Sequence, residues 1–125
     1  MLNEIVEQYA FVSKLEVSDI EASVTWYNSK LDLVQDPRYP TGPWRQMMMP
    51  GVNRVSIGLW QSKSPAGSGG ATETFVVANI QNSRNELIQR GVNVGPIQDV
   101  GEGVLLCFFK DPDGNSLGLR QDSMF

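Results

Sequence analysis

Histidine is absent from this 125-residue chain, and cysteine occurs once. Without imidazole there is no Ser-His-Asp or Cys-His arrangement, and the commonest metal ligand and the commonest general base near neutral pH are both missing. Any catalysis falls to carboxylates, amines such as Lys14, tyrosines or a bound cofactor. One thiol forms no intramolecular disulfide. Cys107 lies inside the apolar run Val104-Leu105-Leu106-Cys107-Phe108-Phe109 and reads as a small buried side chain rather than a nucleophile. A basic run is lacking too: 10 Lys and Arg against 14 Asp and Glu leave a net charge of −4. The phosphate attraction on which nucleic-acid binding relies is therefore missing, and no nucleic-acid partner is expected. No apolar stretch approaches membrane-spanning length, and the opening "MLNEIVEQYA" has neither a basic nor an apolar leader region. The expectation is a cytoplasmic protein with no membrane partner.

What is present is enough chain for a real hydrophobic core without disulfides or metal. Two stretches alternate at period 2 and then change to helical period, the pattern of a strand feeding a helix. In "FVSKLEVSDI", Ser13, Leu15 and Val17 take one face and Val12, Lys14 and Glu16 the other; Ser18 or Asp19 then caps a helix through about Lys30. In "ATETFVVANI", Phe75 and Val77 oppose Thr72, Thr74 and Val76, Asn79 is the cap, and a helix runs through about Arg90 to Gly91. The two stretches share the frame Val-x-(Asp/Asn)-Ile-x-x-Ser, Val17, Ile20 and Ser23 recurring as Val77, Ile80 and Ser83. "SIGL" at Ser56 to Leu59 recurs as "SLGL" at Ser116 to Leu119 at the same spacing. The chain thus reads as two copies of one unit, each a strand, a helix and three strands, an α+β protein. Later strands are expected near Leu33 to Pro37, Trp44 to Met49 and Arg54 to Gln61, and near Asn93 to Val100, Val104 to Lys110 and Asn115 to Gln121. The boundaries are 10–61 for the first unit, 62–71 for a Ser/Gly/Pro-rich mobile linker or loop, and 72–121 for the second. The linker glycines fit no phosphate-binding spacing.

With tandem units of this kind, "VSDIEASVTWYNSKLDL" and "FFKDPDGNSLGLRQ" resemble the vicinal oxygen chelate superfamily, which contains glyoxalase I, extradiol dioxygenases, fosfomycin resistance enzymes and bleomycin resistance proteins. The resemblance covers nearly all of residues 1–125 as a single glyoxalase/bleomycin-resistance-like domain. Asp32 departs from it, since the first helix of the family often leads into a Leu-Gly pair. The resemblance implies an open, incomplete barrel around a concave cavity, with the helices outside, and a homodimer. It also implies metal-ligand positions at Val12, Gly58, Thr72 and Gly118, which here offer no carboxylate and no imidazole. No metal and no cofactor are expected. A glycine in a strand packs nothing, so Gly58 and Gly118 either leave room at that site or mark bulges and close backbone approach. A register slip of one would place Glu73 rather than Thr72 on the inner face.

On this register the inner face carries Lys14 and Glu16, Ser56 and Trp60, Thr74 and Val76, and Ser116 and Arg120. Val55, Ile57 and Leu59, on the opposite face, should pack under a helix. Lys14 and Glu16 form either a salt bridge at a solvated mouth or a candidate catalytic pair. Trp60 and Arg120 are repeat mates suited to a planar or anionic ligand group, or Trp60 packs at a dimer contact. In "WRQMMM", Trp44 and Met47 are candidate pocket walls, although alternation sends at least one Met of the run to the core. The ligand-binding set is then Ser56, Gly58, Trp60, Thr72, Thr74, Gly118, Arg120, Trp44 and Met47. Three functions compete on one scaffold. The first is a metal-independent small-molecule-binding protein that sequesters its ligand, as the bleomycin resistance branch does. The second is a cofactor-independent isomerase or lyase in which Glu16 moves a proton while Lys14 or Arg120 stabilises negative charge. The third is a metal enzyme of glyoxalase or dioxygenase type with relocated ligands.

Overall fold

A computed structural model describes residues 10–122, the side chain of Asn53 excepted. Residues 1–9, read above as carrying no leader, and 123–125 lie outside the described residues. The fold is α+β, two helices and two four-stranded sheets among the described residues. The chain divides into two compact units between Ala66 and Gly67.

The first unit runs β1 (Phe11–Val17), α1 (Ile20–Leu31), β2 (Val34–Gln35), β3 (Trp44–Met49) and β4 (Val52–Gln61). Its sheet order is β1-β4-β3-β2, with β1 parallel to β4 and the other pairs antiparallel. The second unit repeats the plan as β5 (Glu73–Val76), α2 (Ile80–Gln89), β6 (Gln98–Asp99), β7 (Val104–Lys110) and β8 (Ser116–Asp122). Here the order is β5-β8-β7-β6, with β5 parallel to β8. Two strands are shorter than their sequence suggests. Pro37 and Pro96, which have no N–H to donate to a ladder, confine β2 and β6 to two residues each.

Both helices start as their capping residues require. Asp19 accepts the Ala22 N–H at 3.1 Å and Asn79 accepts the Asn82 N–H at 3.0 Å. A second acceptor comes from the far end of each unit: Gln61 Oε1 takes the Ile20 N–H and Gln121 Oε1 takes the Ile80 N–H, both at 2.9 Å. The last residue of β4 and the last but one of β8 thereby satisfy a helix-terminal donor that has no partner within its own helix. At the other end α2 closes on Gly91 at φ +85°, the Val92 N–H reaching Leu87 O and the Gly91 N–H reaching Ile88 O. α1 ends instead on Asp32 at φ +59°, a side-chain-bearing residue in the left-handed region that glycine favours.

Parity along the strands sets the core. In the first unit α1 lies against β3 and β4 and covers Leu15, Val17, Met47, Ile57 and Leu59, with Ile20 and Tyr27 buried from the helix side. Val55 shares that face yet is 38% exposed. α1 spans about 18 Å while a strand of the length of β4 spans about 33 Å, so the strand outruns its cover. Arg45 is buried among these residues, donating to Gly42 O at 3.2 Å and pairing with Glu21 of α1. In the second unit Phe109, Leu117, Leu119 and the Cys107 thiol are buried and α2 lies against β7 and β8. Burial pushes the Cys107 pKa up, as expected of an unreactive thiol.

Two carboxylates organise turns. Asp111 Oδ1 accepts the Asp113 and Asn115 N–H groups at 2.9 and 2.8 Å, and its Oδ2 takes the Asn115 side-chain amide at 2.8 Å. The Asp-Pro-Asp-Gly-Asn segment is thus a self-bonded turn between β7 and β8, with Asn115 fully buried. Asp36, also buried, is gripped by the Arg38 side chain at 2.6 to 3.1 Å and by the Arg38 N–H at 2.9 Å. The Arg38 side-chain hydrogen bonds, then its backbone N–H, hold the Asp36 pKa below the usual value against the opposing effect of burial. The segment read as a mobile linker is tied at both ends: the Ser62 N–H reaches Val17 O in the first unit, and Ser68 Oγ accepts the Ser116 N–H in the second, both at 2.8 Å.

Replacing Asp111 with Ala strips the acceptor from buried donors and is expected to cost about 1–3 kcal/mol in denaturant unfolding. For Asp36 the depressed folded pKa makes the sign definite. Its contribution is present above the unfolded carboxylate value of about 3.9 and is lost as pH falls through the lower folded value. Asp36→Asn is expected to flatten the acid limb of stability against pH, measured by unfolding at a series of pH values.

Candidate functional site

The ladder register places one set of expected site residues together on the open face of the first sheet. Val12, Lys14 and Glu16 of β1 stand beside Ser56, Gly58 and Trp60 of β4, and Met48, Gln46 and Trp44 of β3 flank the other side. The Trp44 indole leans diagonally over Gly58, where a Cβ would come within 2.2 Å of the ring. Its Nε1–H donates to Gln46 Oε1 at 3.1 Å, and the Gln46 amide donates to Ser56 Oγ at 3.3 Å. The glycine in this strand therefore marks close approach, and the approaching group is an aromatic side chain. Glu16 Oε1 accepts the Ala66 N–H at 2.7 Å, while its other oxygen lies 3.8 Å from Lys14 Nζ. Trp60, 41% exposed, completes the face. Met47, expected as a pocket wall, is instead 1% exposed and faces the core. Met47 pairs with Ile57, whereas Met48 pairs with Ser56 on the open face, so parity reverses the assignment.

The second sheet gathers Thr72, Thr74, Gly118 and Arg120 on its open face, around a hollow of about 390 Å³ lined by Thr74, Val76, Leu106, Phe108 and Arg120. Arg120 Nη2 donates to Asp122 Oδ2 at 2.6 Å, while its Nε is buried and donates to nothing among the described residues. Thr72 Oγ1 and Ser116 Oγ are hydrogen-bonded at 2.9 Å. A Cβ on Gly118 would meet the Phe108 ring at 3.2 Å and the Thr72 methyl at 3.3 Å, a tight fit but not an overlap. Leu106 and Phe108 were not foreseen. Their signal was available in β7, where apolar residues occupy both parities and so imply something to cover on both faces. A further hollow of about 400 Å³ at the far end of the first sheet is lined by Val34, Met48, Met49, Pro50, Gly51 and Val52, none of them ionisable.

Two strand-helix-three-strand units, each with a parallel first and last strand and one open sheet face, define an α+β protein of the tandem βαβββ class. The chain belongs to the Glyoxalase/Bleomycin resistance protein/Dioxygenase superfamily, whose family model matches residues 7–119. Solved structures agree on the fold. TnmS3, an antibiotic binding protein from Streptomyces sp. CB03234, superposes with a TM-score of 0.78 at 24% identity, covering 95% of this chain and 99% of its own. A superfamily member from Sphaerobacter thermophilus gives 0.76 at 22% identity over 91% of this chain and 97% of its own. The fosfomycin resistance protein FosX from Listeria monocytogenes gives 0.74 at 14% identity over 91% and 93%. No curated protein matches the chain in sequence.

At the four positions where the resemblance implies metal ligands, the residues present do not fit a divalent cation. Val12, Gly58 and Gly118 offer no side-chain lone pair, the space above Gly58 belongs to Trp44, and the Thr72 hydroxyl is bonded to Ser116. Among the described residues no three of His, Cys, Asp and Glu converge on a common point.

The two strand glycines should respond differently to a methyl group. Gly58→Ala must displace the Trp44 indole, with an expected loss of about 1–3 kcal/mol and a moved Trp44 Nε1–H resonance. Gly118→Ala needs only tenths of an ångström of adjustment, so a smaller loss is expected in the same denaturation experiment.

Proposed function

We propose that this protein is a metal-independent small-molecule-binding protein that sequesters its ligand rather than transforming it. The observation that carries this reading is the hollow of the second sheet, with apolar walls and a single guanidinium, a mixture typical of small-molecule sites. The donor-poor residues at the implied metal positions support the metal-independent part. The fold shared with an antibiotic binding protein is in keeping with sequestration.

A cofactor-independent isomerase or lyase is the second reading. It rests on Glu16 and Lys14, which share the open face of the first sheet with Trp60. The Glu16 carboxylate is already engaged by the Ala66 N–H and by Lys14, a role as a strut that sequestration accommodates. A homodimer and a cytoplasmic location are part of the proposal, supported by the exposed Val12 and Trp60 and by the single buried thiol.

Native mass spectrometry of the purified protein, in buffers with Zn, Ni, Mn or Fe and then with a panel of aromatic antibiotics, tests the reading. The expected result is no stoichiometric metal and bound compounds that are released chemically unchanged on denaturation. A stoichiometric metal would overturn it. A converted product would favour the enzyme, and Glu16→Gln should then abolish turnover while leaving binding intact.

A further inference from the structure

The open face of the second sheet differs in charge from the chain that carries it. The chain has a net charge of −4, yet the strand positions of this face hold two cations, Arg120 and Lys110, and one carboxylate, Asp122. That carboxylate is out of a ligand's reach: its side chain is 6% exposed and its Oδ2 takes the Arg120 Nη2 at 2.6 Å. Arg120 itself is not used up. Its Nη1 has no acceptor among the described residues and, unlike Nε, is not enclosed. The Arg120 side chain is 39% exposed and forms one wall of the hollow. Lys110 is exposed and makes no hydrogen bond or ion pair among the described residues. It stands beside Ser116, four residues along β8 from Arg120 and so about 13 Å away, where it raises the potential of the face without touching a small ligand on Arg120.

These charges rank the ligand classes. A cation finds no accessible carboxylate on the strands of this face, and a neutral ligand leaves Nη1 to water with nothing gained. An anion pairs with a guanidinium that Asp122 already holds in place. The other walls, Val76, Leu106 and Phe108, are apolar, and Val76 and Phe108 are 47% and 38% exposed, so they offer a ring a surface not yet covered. The volume of about 390 Å³ lies at the lower end of small-molecule sites, which favours a compact ligand. We propose that this hollow takes a small aromatic acid of one or two rings, its carboxylate accepting from Arg120 Nη1 and its rings lying against Val76, Leu106 and Phe108. The assignment rests on the small-molecule-binding reading above and narrows it to a class.

Three probes sharing one ring system test it: 1-naphthoate, the neutral 1-naphthalenemethanol and the cationic 1-naphthylmethylammonium. Each is titrated into the full-length ¹⁵N-labelled protein while the amides of Val76, Leu106 and Phe108 are followed by NMR. Because Arg120 is partly exposed, water weakens the ion pair, and naphthoate is expected to bind about fivefold tighter than the alcohol. The ammonium should bind weakest. Raising NaCl from about 0.05 to 0.5 M should remove most of the naphthoate preference and leave the alcohol nearly unchanged. Equal binding of acid and alcohol, a preferred ammonium, or a preference indifferent to salt would overturn the ligand class while leaving the hollow as a binding site. Unshifted amides with all three probes would overturn the binding reading itself. The double variant Arg120→Met with Asp122→Asn removes the guanidinium without stranding the carboxylate, and should bring naphthoate to within about twofold of the alcohol, the remote Lys110 being screened. Lys110→Gln should keep most of the preference. A preference that survives the first variant, or vanishes in the second, would overturn the assignment to Arg120.

Discussion

Each unit depends on the parallel pairing of its first strand with its last, because that pairing makes a sheet face available at all. β1 and β4, like β5 and β8, are brought side by side only after the chain has passed through a helix and two further strands. A parallel neighbour cannot be reached by a tight turn, so a helix must intervene and comes to lie on one side of the sheet. Gln61 and Gln121 bond the end of this closure to the start of the helix, holding three elements at one corner. With one sheet face committed to α1 or α2, the other is left open, and all the site chemistry is found there.

How much of this was legible followed the distance over which each feature is decided. Asp19 and Asn79 as caps, the change from period 2 to helical period, and Gly91 as a helix stop are local and were readable directly. Strand parity was readable where polar and apolar residues alternate, as in β1 and β4. It failed in the methionine run, where neighbouring residues are alike and only the pairing with Ile57 and Ser56 separates Met47 from Met48. The glycine at 58 announced that a side chain was unwelcome, but the reason lies across the ladder in Trp44, which no spacing along one strand reveals. Phe108 and Leu106 were passed over because an apolar run hides which members face inward.

Duplication gave the two units the same frame, and the differences lie in what fills the open face. In the first, an indole with a hydrogen-bonded chain through Gln46 to Ser56 occupies the space, and Lys14 and Glu16 are paired at its margin. In the second, Phe108 stands beside Gly118 and leaves a hollow, while Asp122 disciplines the charge of Arg120. The middle of the first open face is thus occupied by its own side chains, while the second keeps a hollow beside Arg120.

The overlap between Trp44 and any side chain at position 58 also restricts the order in which this sequence could change. A glutamate at 58, the kind of residue that the resemblance places there in metal enzymes, would need the indole to leave first. Shrinking Trp44 alone, however, would open a void and leave Gln46 without its indole donor. Neither single step is neutral, so the residues at 44 and 58 are coupled: what one position can hold depends on the other.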